Sequence, residues 1–444
     1  MSLQQQRFSQ SPATWDRRRL KHHLSGFFGG GTPSKDNESF WTGGSIPWVS
    51  PKDMKTRLIV SSEDSITPEA VAQSATSMVP VNSVLMVVRS GILKHTLPVA
   101  INSVPVALNQ DMKAFRFRKS LSERFFAYWI EGQSKALLLE WGQIGATVDN
   151  IDVDTMLNSK ISLPNVEAQK KIANFLDRET ARIDELIEKK ERFLEKADEQ
   201  WKAMLNHQIF PGSPDWSKLP PGWRKVQLKY LSDEARPIMY GIVLPGPNME
   251  EGPMIVKGGD VKPGRLSPEK LCRTTVEIEA SYKRSRLKEG DLVISIRGGI
   301  GDIESVPMEI EGANLTQDAA RVAPASGVNA VWLRYALLSP AVFHPLDAKS
   351  LGAAVRGINI FDLKRVCVPT PQPEQQSPIA QGLAEHEMRL SALRSAVIAH
   401  TDRLREYRAA LITAAVTGQI DVSIYGKKGA TSATLDQIEV DMQA

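Results

Sequence analysis

The chain has few cysteines and little net charge. Cys272 and Cys367 lie far apart among 444 residues, so we expect no disulfide framework, and this usage favours a reducing compartment. The formal net charge of +4 is smaller than a strong non-specific nucleic-acid binder usually carries. No run approaches twenty apolar residues, and the first ten residues contain no apolar signal core. We therefore expect a cytoplasmic globular protein.

Motifs for catalysis and for metal binding are also missing. The seven histidines are scattered apart from His22 and His23, with no Cys/His cluster. The segment 29–35 superficially resembles a phosphate loop, but it lacks the Gly-Lys-Ser/Thr ending, and no Gly-x-Gly-x-x-Gly follows a predicted strand. The tetrapeptide Asn-Pro-Pro-Tyr of amino-methyltransferases is absent too. Asp152 and Asp154 could bind a metal, but a solvated loop is the simpler interpretation. We expect no active site, no metal and no cofactor bound by this chain.

The second half of the sequence repeats the first half. A shift of 207 residues, or 208 at one motif, aligns the two copies, and a repeat of this length is a domain with an attached element rather than a solenoid unit. The aligned segments are 48–53 with 255–260, 88–92 with 296–300, 108–111 with 315–318, 145–146 with 352–353, and 167–176 with 374–383. Two copies give an approximate two-fold axis, which matches a symmetry of duplex DNA.

Each copy is predicted to contain an α+β domain, at 1–164 and at 224–371. Apolar runs bounded by turn residues predict strands at 84–88, 104–108 and 291–296. Helices are predicted at 122–139 and 330–338. A Pro/Gly linker at 211–223 separates the copies, and a polar tail occupies 419–444.

A long helix is predicted after each domain, at 165–210 and 372–418. Asn165 is a suitable N-cap, Pro373 suits a first helical turn, and Gly418 suits a helix end. Apolar residues with 4-3 spacing predict a coiled-coil seam over five heptads, interrupted by polar residues such as Glu179 and Lys190. The seam residues are Ile172, Leu176, Ile183, Leu186, Phe193, Ala197 and Met204 in the first helix, and Ile379, Leu383, Leu390, Leu393, Val397, Leu404, Tyr407 and Leu411 in the second. A two-fold relation between the copies requires the helices to pair antiparallel.

Six segments of the chain carry distinctive short motifs: 30–34, 40–54, 167–169, 236–246, 374–376 and 409–421. Together these motifs resemble the DNA specificity subunit of Type I restriction-modification enzymes. The motifs at 30–34 and 40–54 resemble the opening of a target-recognition domain in that family, and the motif at 236–246 resembles another such opening. The helix starts and the end of the second helix are similar to the spacer regions of that family.

The resemblance implies two homologous α/β target-recognition domains separated by two long helices in an antiparallel coiled coil with pseudo-two-fold symmetry. Each domain would read one half of a split, asymmetric DNA site, and the helices would fix the gap between the halves. The chain would be a non-catalytic subunit that docks two methyltransferase subunits and, for restriction, motor-nuclease subunits. The assembled complex would methylate adenine N6 with S-adenosylmethionine and cleave DNA with ATP and Mg²⁺.

Candidate DNA contacts come from loops after predicted strands and from the motif segments. For each residue, a solvated charge or a turn position is the alternative interpretation. Arg89 and Arg297 stand out because both copies keep an arginine near glycine. The candidates are Lys35, Lys52, Arg89, Ser90, Lys94, Tyr240, Lys257 and Arg297.

Two other functions remain open from sequence alone. A coiled-coil scaffold whose domains bind protein would show no DNA sequence preference. A cryptic nuclease or methyltransferase would act without partners.

Overall fold

The computed structural model describes residues 12–143, 149–350 and 357–422. Outside the described residues lie the N-terminal residues 1–11, the repeated pairs 145–146 and 352–353, and most of the polar tail. The chain divides into two compact units, Met1–Lys190 with Ala399–Ala444, and Glu191–Ile398. Both units mix helices and strands, in agreement with the predicted fold class.

The first unit is built on a five-stranded sheet of order β2-β9-β6-β7-β4 and a three-stranded sheet of order β5-β3-β8. Its strands are β1 Asp16–Arg19, β2 Leu24–Gly29, β3 Ile46–Val49, β4 Leu58–Ile59, β5 Asp64–Ile66, β6 Val84–Val87, β7 Val99–Asn102, β8 Ala107–Leu108, β9 Met112–Phe117, β10 Gly142–Gln143, β11 Asn150–Ile151 and β12 Lys160–Leu163. Its short helices are α1 Pro68–Gln73, α2 Glu123–Trp141 and α3 Val153–Asn158.

A long helix, α4 Val166–Ile209, begins in the first unit and continues into the second. The second unit has a four-stranded sheet of order β14-β20-β17-β18 and a three-stranded sheet of order β16-β15-β19. Its strands are β13 Arg224–Gln227, β14 Met239–Tyr240, β15 Met254–Val256, β16 Cys272–Arg273, β17 Leu292–Ser295, β18 Ile303–Ser305, β19 Asn314–Leu315, β20 Ala319–Val322 and β21 Cys367–Thr370. Its helices are α5 Val276–Ala280, α6 Ala330–Leu338, α7 Pro340–Asp347, α8 Ile360–Arg365 and the long α9 Pro373–Thr417, which ends in the first unit.

The duplication is visible in the strand pairing of each unit. In the first unit, β3 pairs parallel with β8, with Trp48 opposite Ala107. In the second unit, β15 pairs parallel with β19, with Ile255 opposite Asn314. These registers differ by 255 − 48 = 207 and 314 − 107 = 207 residues, as the sequence repeat predicts.

Most of the predicted short elements are confirmed. The strands at 84–88 and 291–296 and the helices at 122–139 and 330–338 match β6, β17, α2 and α6. The strand predicted at 104–108 is wrong in its first half, because only Ala107–Leu108 is a strand. Pro105 has no N–H group to donate to a strand ladder, and Val106 forms only an isolated bridge with Val79. The apolar segment Val99–Asn102, which is β7, was missed.

The ends of the long helices follow local capping chemistry. The N–H of Ala168 donates to Asn165 Oδ1 at 2.9 Å, as expected of an N-cap. Pro373 is the first residue of α9, and Gly418 follows the helix in a left-handed conformation with φ +77°. None of the helices that the structure describes combines the length and apolar character of a membrane-spanning segment.

The predicted seam residues differ in burial. Nine are buried: Ile172, Leu176, Ile183, Leu186, Leu383, Leu390, Val397, Leu404 and Leu411. Four are half-buried: Ala197, Met204, Ile379 and Tyr407. The prediction of a buried seam position is wrong for Phe193 and Leu393, which are 48% and 38% exposed. The polar residues Glu179 and Lys190, which interrupt the apolar pattern of α4 at seam positions, are both buried.

Candidate nucleic-acid interface

In the first unit, the repeated motifs converge on the end of β8. The N–H of Gly31 donates to the Leu108 carbonyl oxygen at 2.9 Å, and the indole Nε1 of Trp48 donates to the Gly31 carbonyl oxygen at 3.0 Å. A Cβ on Gly30 would lie 1.6 Å from the Asn109 carbonyl oxygen. Glycine is therefore required at Gly30, because only glycine permits so close a backbone approach.

The second unit repeats this arrangement. The N–H of Ile242 donates to the Leu315 carbonyl oxygen at 2.7 Å, and a Cβ on Gly241 would lie 2.0 Å from that oxygen. Gly258 packs against the loop that carries Arg297, which we call the arginine loop of this unit, since a Cβ there would be 2.8 Å from the Arg297 carbonyl oxygen. The short motifs of both halves thus have a shared structural role, which is to pack one loop closely on another.

The two arginine loops are held by the same backbone contacts. The Asp111 carbonyl oxygen accepts the N–H groups of Arg89 and of the residue before it, at 3.3 and 2.8 Å. The Asp318 carbonyl oxygen does the same for Arg297 and its predecessor, at 3.2 and 2.9 Å. Both arginines are exposed at the end of a buried central strand. Their backbones are fixed and their side chains face solvent, which is an arrangement suited to contacting a ligand.

The arginine side chains differ between the copies. Arg89 Nε donates to Asp111 Oδ1 at 2.6 Å. In the part of the chain that the structure describes, Arg297 makes no such ion pair, and its stem lies against Gly357, where a Cβ would be 3.2 Å from Arg297 Cγ. The guanidinium of Arg297 is therefore the less constrained of the two.

Lys52 is the candidate whose charge is most fully compensated. Its Nζ lies 3.0 Å from carboxylate oxygens of both Asp64 and Glu63. Hydrogen bonds to Asp64 and Glu63 raise the pKa of Lys52 above its usual range. Since two carboxylates neutralise this ammonium group, the local geometry favours a structural role over a phosphate contact.

The two remaining candidates of the second unit lie on or beside strands. Tyr240 is in β14, opposite Ala320, and its ring is partly exposed. Lys257 follows β15, where its N–H donates to Asp260 Oδ2 at 3.0 Å and its Nζ donates to Cys272 Sγ at 3.1 Å. The side chain of Lys257 is thus turned towards its own domain, whereas Tyr240 is available to solvent.

The other candidates of the first unit are turn residues. Ser90 caps a short 3-10 helix, because its hydroxyl oxygen accepts the Ile92 N–H at 3.4 Å. Lys94 ends that helix and is exposed. Lys35 is also exposed, in a turn of the glycine-rich motif at 29–35. The structure brings Arg89, Ser90 and Lys94 together on one loop and leaves Lys35 and Lys52 on other segments.

Asp111 belongs to this site, although its place in the sequence does not predict contact with Arg89. It lies in the repeat of Leu-Asn-Gln-Asp with Leu-Thr-Gln-Asp. The acidic residue kept in both copies is the signal that the sequence offers for it. Its contact with Arg89 spans 22 residues, and the sequence alone does not reveal it.

Comparison with known proteins relates the site to a family. Residues 12–196 match the Type I restriction modification DNA specificity domain. This part of the chain is therefore similar to a DNA specificity domain. The resemblance inferred from the short motifs is thereby confirmed, and Arg89 and Asp111 lie inside the matched region.

Several curated relatives are similar to part of the chain. The chain is 40% identical over 176 residues to the Type I restriction enzyme EcoR124I/EcoR124II specificity subunit of Escherichia coli, covering 40% of this chain and 44% of the relative. It is 26% identical over 296 residues to the EcoBI specificity subunit of Escherichia coli, covering 63% and 62%. It is 28% identical over 236 residues to the MjaIX specificity subunit of Methanocaldococcus jannaschii, covering 50% and 52%. The matches therefore span about half the length of these relatives.

Solved structures extend the likeness of the fold beyond the DNA specificity domain. A chain from a study of the complex assembly and conformational transition of the type I R-M system is 18% identical, with a TM-score of 0.70, covering 92% of this chain and 99% of that one. The HsdS subunit from Thermoanaerobacter tengcongensis is 19% identical, with a TM-score of 0.50, covering 92% and 98%. At these identities the likeness concerns the fold.

Proposed function

We propose that the chain is the DNA specificity subunit of a Type I restriction-modification complex, in which each half of the chain reads one half of a split DNA site. The observation that carries the proposal is the DNA specificity domain at 12–196, whose motifs recur about 207 residues later. The parallel strand pair and the backbone contacts of the arginine loop recur with them. Two different copies in one chain can read two different half-sites, whereas an identical homodimer reads the same half-site twice.

The two long helices are proposed to form an antiparallel coiled coil that sets the gap between the half-sites. In the first unit, Asp184 of α4 pairs with Arg408 of α9 at 2.8 Å, and Lys171 lines a cleft together with Gly418. Residue numbers thus rise along α4 while they fall along α9, which supports antiparallel pairing.

The second unit supports the same direction. Asp198 of α4 accepts a hydrogen bond from Arg394 Nε at 3.0 Å, and Trp201 stacks on His386 with ring centroids 5.5 Å apart. At 1.5 Å per residue, a helix of 44 residues is roughly 66 Å long. This length exceeds the roughly 34 Å of one DNA turn.

Partner subunits would supply the chemistry. The proposal assigns to this chain DNA reading and the docking of two methyltransferase subunits that use S-adenosylmethionine, with ATP- and Mg²⁺-dependent motor-nuclease subunits joining for restriction. Exposed apolar side chains on the helices, among them Phe193, Met388 and Ile398, support a protein-docking role. The modest net charge of +4 is consistent with partners that complete the DNA clamp.

Methylation-sensitive genome sequencing tests this proposal. Cells that express the chain with its modification subunits should carry a split motif with one methylated adenine in each half. Cells that lack only this chain should lose that methylation. Methylation that persists without the chain, or the absence of any split motif, would contradict the proposal.

A further inference from the structure

The guanidinium of Arg89 is held on one side and open on the other. Its Nε donates to Asp111 Oδ1 at 2.6 Å. The Arg89 side chain is 56% exposed, whereas the Asp111 side chain is only 20% exposed. Among the residues that the structure describes, no acceptor engages Nη1 or Nη2 of Arg89. The edge that carries these two nitrogens is therefore available to a ligand.

The carboxylate that holds Arg89 is itself fixed. Asp111 Oδ2 accepts hydrogen bonds from Asn109 Nδ2 at 3.3 Å and from Gln110 Nε2 at 3.2 Å. The N–H of Asp111 donates to Asn109 Oδ1 at 3.0 Å. Gln110 in turn accepts a hydrogen bond from Thr32 in the glycine-rich motif. A short network thus connects the opening motif of the domain to the orientation of one exposed arginine.

We propose that Asp111 is a positioning residue that presents Arg89 to a guanine in the half-site read by the first DNA specificity domain. This inference rests on the proposed function. An arginine recognises guanine through two parallel hydrogen bonds to O6 and N7, which demands a fixed orientation of the planar fork. The Asp111 carboxylate accepts a hydrogen bond from Nε and so supplies that orientation. It leaves the donors Nη1 and Nη2 directed away from the carboxylate.

Charge distinguishes guanine from a backbone phosphate as the target. The Asp111 carboxylate, in contact with Nε, partly cancels the positive charge of Arg89 and would repel a phosphate brought to the same place. A guanine edge is neutral overall, so its recognition depends on donor geometry more than on net charge. Gly91, two residues along, has open space where a side chain would stand, so a base edge can approach this loop.

The described residues of the second copy form no matching ion pair. Asp318 binds the Arg297 loop through its carbonyl oxygen, but within the described ranges its carboxylate makes no ion pair with Arg297. The inference therefore concerns the first copy alone. The side chains of the two arginines are held differently, which is consistent with two domains that read different half-sites.

The test measures base preference with the full-length chain. Once the site is defined, wild type, Arg89→Ala, Arg89→Lys, Asp111→Asn and the Arg89→Ala/Asp111→Asn double variant are titrated at fixed salt. The DNA is the cognate duplex and a series with each position of one half-site changed. The wild type should prefer one guanine by about tenfold or more. All four variants should lose that preference, and the double variant should lose no more than Arg89→Ala, because the two residues act together.

Asp154→Asn is the matched control for Asp111→Asn. Asp154 is an exposed carboxylate in α3, so this change removes the same charge without touching Arg89. It should keep the guanine preference. Arg89→Lys keeps the exposed positive charge and removes only the fork, so it tests the inference even if a change at Asp111 impairs folding.

Three results would overturn the inference. Arg89→Ala could lower affinity equally on every duplex and reduce the salt slope by about one, as a phosphate contact does. Folded Asp111→Asn could keep the full preference that Arg89→Ala loses, which would remove the positioning role. Arg89→Lys could discriminate as well as wild type, which would exclude fork recognition. A wild-type chain with no sequence preference at all would instead refute the proposed function.

Discussion

At the scale of single residues, the positively charged candidates separate by what already surrounds them. Arg297 is exposed and makes no ion pair in the described part of the chain, whereas Lys52 lies between two carboxylates. A cation without a local partner can exchange water for a DNA contact, but the single ammonium group of Lys52 must first give up one of its two acids. Residue type alone would make Arg297 and Lys52 equally good candidates for a DNA contact.

Arg297→Ala should weaken binding to the cognate site about tenfold or more, because an arginine that contacts DNA contributes on the order of 1–3 kcal/mol. Lys52→Ala should change the affinity less than about twofold, because its charge is neutralised within the domain. Titration of both variants at one fixed salt concentration checks this. Equal losses would show that the local acids do not decide which cation binds DNA.

Glu279 provides a prediction for pH. Its nearly buried carboxylate accepts two hydrogen bonds of 2.6 Å from Arg286 and one of 3.0 Å from Asn314. The hydrogen bonds from Arg286, together with that from Asn314, hold the pKa of Glu279 below its ordinary value of 4.5. Because the pKa is lower in the folded state, this stabilisation is complete above the ordinary pKa and is lost as the pH falls through the folded-state pKa.

Glu279→Gln should therefore be less stable than wild type near neutral pH, by about 1–3 kcal/mol. Between about pH 5 and about pH 3, its urea midpoint should fall less than that of wild type, since one acid-sensitive group is gone. Urea unfolding at several pH values measures both effects. Parallel losses on acidification would show that Glu279 does not contribute to acid sensitivity.

At the scale of elements, periodicity predicted the long helices well. Their ends depend on local chemistry, namely an asparagine cap, a first-turn proline and a terminal glycine, and all three are present in the structure. The short strands were harder to predict, because β7 and β8 are set by pairing with distant strands. Pro105 at the start of an apolar run was the local sign that the predicted strand was too long.

Some features of the site can be predicted from the sequence, and others cannot. The repeat located both arginine loops, because the motif survives in each copy. The acids around Lys52 and the carboxylate behind Arg89 come from other segments of the chain. Their effect on each cation depends on distances that only the folded chain defines.

The seam offers a matched pair of substitutions. Leu383 and Leu393 are both predicted seam leucines on α9 in the second unit, but their exposures are 2% and 38%. Leu383→Ala should destabilise the chain by about 2–5 kcal/mol, because it leaves a cavity in a packed core. Leu393→Ala should cost less than about 1 kcal/mol, because much of that side chain is already in water.

Urea unfolding followed by far-UV circular dichroism measures both losses of stability. The substitution, the helix and the unit are identical, so helix propensity cancels in the comparison. Equal destabilisation by the two variants would mean that the strict heptad pattern, and not the observed burial, describes the seam.

At the scale of the whole molecule, we propose that two related but different domains each read their own half of a split DNA site. In this proposal the duplication would provide two copies of one recognition scaffold, and their separate sequences would allow different bases to be read. Each half can be tested by one substitution, because Arg89 and Arg297 lie at matching positions in the two halves.

Selection from a randomised duplex library tests this claim most directly, with full-length wild type, Arg89→Ala and Arg297→Ala compared side by side. We predict that wild type enriches two short sequence blocks at a constant spacing. Arg89→Ala should relax a base in one block only, and Arg297→Ala should relax a base in the other block only. A single block, no enrichment, or two variants that relax the same block would contradict the account.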